Sequence, residues 1–104
     1  MALTKTFKMT VKARVDRDPE YRAALLVEGI EALLDGDVET GKIILRDYIN
    51  ATDGFEKLGR AVGKQPKSLM RMFSASGNPS AKNLFPILKR LQRSAGLQLQ
   101  VRRN

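Results

Sequence analysis

Residues 53–74 read Asp-Gly-Phe-Glu-Lys-Leu-Gly-Arg-Ala-Val-Gly-Lys-Gln-Pro-Lys-Ser-Leu-Met-Arg-Met-Phe-Ser, and this stretch decides the fold. Asp53 with Glu56 three residues on approximates a capping box, which opens a short helix. Phe55, Leu58 and Val62 then fall on one face of that helix. Gly59 stands where a following helix must cross closely, so a side chain there would hold the two apart. Gly63 suits the left-handed residue by which a chain leaves a helix sharply. A second helix begins near Pro66, turns Leu69, Met72 and Phe73 inward at i, i+3 and i+4, and ends at Gly77. The ordered set Phe55, Leu58, Gly59, Val62, Gly63, Leu69 and Met72 has the spacing that two helices joined by a tight turn require. The motif expected over residues 54–74 is a helix-turn-helix.

The outward face of the second helix carries Gln65, Lys67, Ser68, Arg71 and Ser74, all donors or amphoteric groups with no acid among them. A solvated helix face ordinarily mixes Glu with Lys. A helix that reads the major groove needs the opposite: Arg for guanine, Gln for adenine, and Lys or Ser for phosphate. These five residues are the expected base contacts. The charge distribution agrees. Residues 1–53 hold eight Lys/Arg against ten Asp/Glu, a net of −2, whereas residues 54–104 hold eleven against Glu56 alone, a net of +10. The whole basic excess of the 104-residue chain (net +8) therefore lies in one half, which attracts a polyanion through counterion release.

Outward from the motif, four breaks divide the chain: Asp18-Pro19, Asp35-Gly36-Asp37, Thr52-Asp53-Gly54 and Ser76-Gly77-Asn78-Pro79. Asp18 and Pro19 predict a helix over residues 19–35, with Ala23, Leu26, Val27, Ile30, Leu33 and Leu34 as its apolar stripe. Asp37 caps a further helix to about residue 50, buried through Val38, Leu45, Tyr48 and Ile49, with Gly41 a weak point of about 1 kcal/mol. Residues 4–16 fit two patterns. Alternation of Phe7, Met9, Val11, Ala13 and Val15 suits a strand, while Phe7, Val11 and Val15 recur as on a helix, the reading preferred here.

After the motif, Ser80 or Asn83 caps a last helix with Leu84, Ile87, Leu88, Leu91 and Ala95 inward. Pro86 favours a start at Asn83, which leaves the proline in the first turn. Ser80, Lys82 and Asn83 then sit at a helix N-terminus that favours phosphate, and with Lys64 they are the expected backbone contacts. Past Gly96, residues 97–101 alternate apolar and polar, which reads as a half-buried strand. Its residues Leu97, Leu99 and Val101 would pair across the twofold axis of a homodimer, since dimers of this motif read two half-sites.

Three segments carry a resemblance to a known family: Leu58-Gly-Arg-Ala-Val-Gly, Lys67-Ser-Leu-Met-Arg-Met-Phe-Ser and Gly77-Asn-Pro-Ser-Ala-Lys-Asn-Leu84. Over about residues 40–101 the chain resembles the addiction-module antidote family, the antitoxin half of toxin–antitoxin operons. Lys64 and Pro66 depart from its usual aliphatic residue and Arg. The resemblance implies a repressor-like helical domain, operator binding as a homodimer, repression of its own promoter and a small toxin partner. The mildly acidic residues 1–53 are the side expected to meet that toxin.

The expected fold is thus mostly α: a repressor-like helix-turn-helix bundle of about five helices with a short C-terminal β-strand. One compact domain is expected, divided into an N-terminal helical region (1–53) and a DNA-binding region (54–104). With neither His nor Cys, the commonest general base, metal ligand and thiolate nucleophile are all missing, so no enzyme, metal site or cofactor is expected. No small-molecule substrate is expected either. No apolar run approaches the roughly 18 residues of a membrane span, and the N-terminus shows no signal core, so a cytoplasmic protein is expected. Gly59 to Lys64 approaches a phosphate-binding loop but is one residue short, and Gln65 replaces the required Ser or Thr. Asp35, Asp37 and Glu39 lack the glycine and terminal Glu of a calcium loop, and capping explains them. The alternative function is a protein-interaction module whose basic half clamps an acidic partner without specific DNA binding.

Overall fold

The computed structural model describes residues 12–103. Six helices follow one another: α1 (described over residues 12–17), α2 (Pro19–Leu34), α3 (Val38–Ala51), α4 (Gly54–Val62), α5 (Pro66–Met72) and α6 (Ala81–Ser94). Of the ambiguous segment, residues 12–16 are helical, and residues 4–11 lie outside the described part.

Local chemistry starts these helices where capping residues allow it. The Asp18 carboxylate accepts from the Tyr21 amide (3.1 Å) with Pro19 in the first turn, and Asp37 accepts from the Thr40 amide (3.2 Å). α2 and α3 form a helical hairpin whose axes approach closely because two glycines meet at the crossing. A Cβ at Gly41 would lie 2.5 Å from Leu33 Cδ2 and 3.1 Å from the Gly29 carbonyl oxygen. Gly41 therefore gives up helix propensity for close packing. α1 rests on this hairpin through buried Val15, whose carbonyl accepts from Arg22 Nη1 at 3.2 Å.

One core joins both halves of the chain. Leu26 and Ile30 of α2, and Leu45, Tyr48 and Ile49 of α3, pack with Phe55 and Leu58 of α4. Leu69 and Phe73 join them from the second helix of the motif, and Ile87, Leu88 and Leu91 from α6. The Phe55 and Phe73 rings meet at 6.2 Å and 51°. Residues 12–53 and 54–103 are thus continuous in the interior.

Several expectations need correction. Residues 97–101 form no strand. The chain instead closes α6 with a Schellman turn, in which Gly96 (φ 70°) and Leu97 donate to the carbonyls of Arg93 and Gln92. Leu97 packs partly against the core, the Leu99 amide donates to Gln92 Oε1 at 2.9 Å, and Val101 is fully exposed. The alternation in sequence meets no sheet edge among the described residues, and the backbone bonds instead to the helix beside it.

α6 also begins earlier than Asn83. Ser80 is its cap, its hydroxyl accepting from the Asn83 amide at 3.3 Å, which leaves Pro86 inside the helix. Pro86 is exposed, so the carbonyl it leaves without a donor lies on the solvent side. Asp53 makes no capping bond, because its own backbone is helical (φ −74°, ψ −26°), and its carboxylate pairs with Lys57 at 3.5 Å. Leu34 (73% exposed) and Val38 (43%) leave the expected stripes, since the short turn between α2 and α3 projects beyond the core.

Inside the core, burial pushes the Tyr48 phenol above its ordinary value of 10.0, with Arg22 opposing and Asp53 adding to the rise. The folded state then holds that proton more tightly than the unfolded chain. Its contribution is complete below pH 10.0 and is lost as pH rises through the raised value. The difference in unfolding free energy between wild type and Tyr48→Phe should be flat through neutral pH and fall in strongly alkaline solution. Denaturant titrations across that range check it, and a pH-independent difference would contradict the assignment.

Candidate nucleic-acid interface

The site is built on the turn between α4 and α5. Gly63 adopts the left-handed conformation (φ 70°, ψ 36°), and its amide and that of Lys64 (2.9 Å) both donate to the Gly59 carbonyl. Gly59 must be glycine for a reason one step removed from helix crossing. A Cβ there would stand 2.5 Å from the Lys64 carbonyl oxygen, against 3.6 Å from Leu69 Cδ1. The backbone of the turn, more than the second helix, occupies the space.

From this turn α5 runs for two turns, anchored by Leu69 (0% exposed) and followed by buried Phe73. Phe55, Leu58 and Gly59 are buried, and Val62 and Met72 are half-buried. The opposite side presents Gln65, Lys67, Ser68 and Arg71, all exposed, with Met70 (49% exposed) among them. Ser74 stands apart from these four. Its hydroxyl donates to the Arg71 carbonyl (2.7 Å) and its own carbonyl accepts from Lys42, so it serves the end of the helix.

The four expected phosphate contacts fall around the same turn. Lys64 Nζ donates to Asn83 Oδ1 at 3.1 Å, which ties the turn of the motif to the first turn of α6. Ser80 caps that helix and Lys82 is exposed on it. Beside them, Arg60, Lys64, Gln65 and Pro66 line an open hollow of about 500 Å³ together with the acid Glu56. The first turn of α6 and the cations Lys64 and Lys82 share one surface, which suits an anionic backbone.

Sequence reasoning missed two features. Phe85 is 60% exposed near the start of α6. Lys42 is 2% exposed and reaches the chain after α5, and its signal was a cation within an apolar stripe, four residues after Val38 and three before Leu45. Among the described residues no helix is long and apolar enough to cross a membrane, and no cluster of three potential metal ligands occurs. Comparison with protein-family models, curated proteins and solved structures finds no match.

Two measurements test the geometry of the turn. Gly59→Ala should cost about 2 kcal/mol in denaturant unfolding, as overpacking against an immobile backbone does, and an unchanged midpoint would refute the contact. A double-mutant cycle of Lys64→Met and Asn83→Ala should give a coupling of about 1 kcal/mol, whereas strict additivity would show that the tether is idle.

Proposed function

We propose that the protein is a sequence-specific double-stranded DNA-binding regulator. The observation that carries the proposal is the outer surface of the helix-turn-helix, where acid-free α5 stands beside the N-terminus of α6, held there by Lys64 and Asn83. In this reading α5 enters the major groove, with Gln65, Lys67, Ser68 and Arg71 facing base edges. Lys64, Ser80, Lys82 and the main chain at the start of α6 meet the phosphates and fix the register. Ser74 acts by closing α5. A homodimer would place two such surfaces on neighbouring half-sites.

The resemblance to addiction-module antidotes extends the proposal to repression of the protein's own operon and to a small toxin partner. Support for a protein partner comes from the α2–α3 hairpin, where residues 23–41 carry five acids and no base and where Leu34 and Val38 are exposed. Such a surface complements a basic protein with an apolar contact. The alternative, an interaction module whose basic half clamps an acidic partner without specific DNA binding, draws instead on the basic surface around α5 and α6. Co-purification of a partner without any duplex preference would favour that alternative.

Selection from random-sequence duplexes, followed by competition with scrambled DNA over a salt series, tests the proposal directly. Equal affinity for every sequence at every salt concentration would reject it. Given a preferred duplex, Arg71→Ala should relax its preference at one position by about 1–3 kcal/mol. Lys82→Ala should weaken all sequences alike and reduce the salt slope by about 1.

A further inference from the structure

Lys42 belongs to α3 and lies outside the surface described above. Its side chain is almost wholly buried, and its ammonium donates to three main-chain carbonyls: Gly77 at 2.7 Å, Ser74 at 3.0 Å and Ala75 at 3.4 Å. Glu39, one turn back on α3, accepts at 3.0 Å. All three carbonyls belong to the segment that follows α5. Gly77 lets that segment lie flat on the end of the helix, for a Cβ there would collide with the carbonyl oxygens of Arg71 and Met72. The ammonium thus ties the segment that closes α5 to the α2–α3 hairpin.

A helix of seven residues has little length by which to fix its own direction. At its start α5 is held by the tight turn at Gly59 and Gly63, and at its end by buried Phe73, which packs on Phe55, and by the directional bonds of Lys42. Between them only Leu69 of its residues is fully buried. The end held by Lys42 is the end that carries Arg71. A tilt there would move Arg71 relative to Gln65 and Lys67, while leaving the phosphate-facing residues on α6 in place. The three hydrogens of a compact ammonium suit its three nearest acceptors, the Gly77 and Ser74 carbonyls and the Glu39 carboxylate, with the Ala75 carbonyl farther off at 3.4 Å, and a planar guanidinium cannot present its donors from the same point.

We infer that Lys42 is a positioning residue for base recognition, which fixes the C-terminal end of α5 so that Arg71 reads in register with Gln65 and Lys67. The inference rests on the DNA-binding function proposed above. It assigns to a buried residue of the N-terminal half a part in sequence preference.

The test compares full-length wild type and Lys42→Met on a duplex selected by wild type and on its scrambled counterpart. The ratio of the two affinities should fall about tenfold in Lys42→Met, with the salt slope unchanged because the phosphate contacts remain. A residue that merely stabilised the fold would lower the folded fraction, weaken both duplexes by one factor and leave the ratio intact. That outcome would overturn the inference. Should Lys42→Met fail to fold, Lys42→Arg keeps the charge without the geometry. A lower ratio in Lys42→Arg supports the inference, and a wild-type ratio overturns it. A wild-type protein that selects no sequence overturns the DNA-binding reading and the inference together. One that selects a sequence which Lys42→Met reads equally well overturns the inference alone.

Discussion

At the turn between α4 and α5, the Gly59 main chain and the Lys64 carbonyl come so close that no side chain fits between them. This contact sets the rest of the motif. With it go the left-handed conformation of Gly63, the burial of Leu69 in the same core as Leu58, and the reach of the Lys64 side chain to α6. The outer surface of the second helix is consequently a surface of the turn as much as of the helix. A longer connection would leave α5 free to pivot, because a helix this short adds little apolar burial of its own.

The far end adds to buried Phe73 a hold that is chemically different. Apolar packing fixes position by shape and is non-directional. The hydrogen bonds from Lys42 fix it by direction and distance, and leaving such a buried cation unpaired is costly. Among the described residues, packing joins six helices, and a buried cation is added at the C-terminal end of α5. Its charges divide as well: an acidic stretch at residues 23–41 of the α2–α3 hairpin, a basic surface around α5 and α6, and Lys42, the one buried cation among the described residues, tying α3 to the segment after α5. Under the proposed function, the basic surface meets a polyanion and the acidic stretch a protein.

Strong local signals were legible in the sequence. Asp18, Pro19 and Asp37 mark helix starts because a cap acts within one turn, and the glycines at 59 and 63 mark the turn because few residues fit there. Inward faces were legible wherever 3.6-residue periodicity met a neighbouring helix, as at Leu26, Ile30, Leu45, Phe55, Leu69 and Ile87. The same pattern failed at the ends of elements. Leu34 and Val38 keep the period but run past the core, and residues 97–101 keep a strand's alternation without an edge to pair with. Periodicity reports what a segment could bury, and says nothing of whether a partner is present.

The sequence by itself determined the helices, the tight turn between α4 and α5 and the concentration of cations in the second half, because each follows from residues near one another along the chain. Only the tertiary structure decided that Lys64 holds Asn83, that Ser74 closes α5, and that Lys42 reaches the segment after it. Those contacts span from 19 to 35 positions, except the short one at Ser74, which depends on where α5 stops. A side chain's partner across such a separation is set by how helices pack, and packing is a property of the whole core.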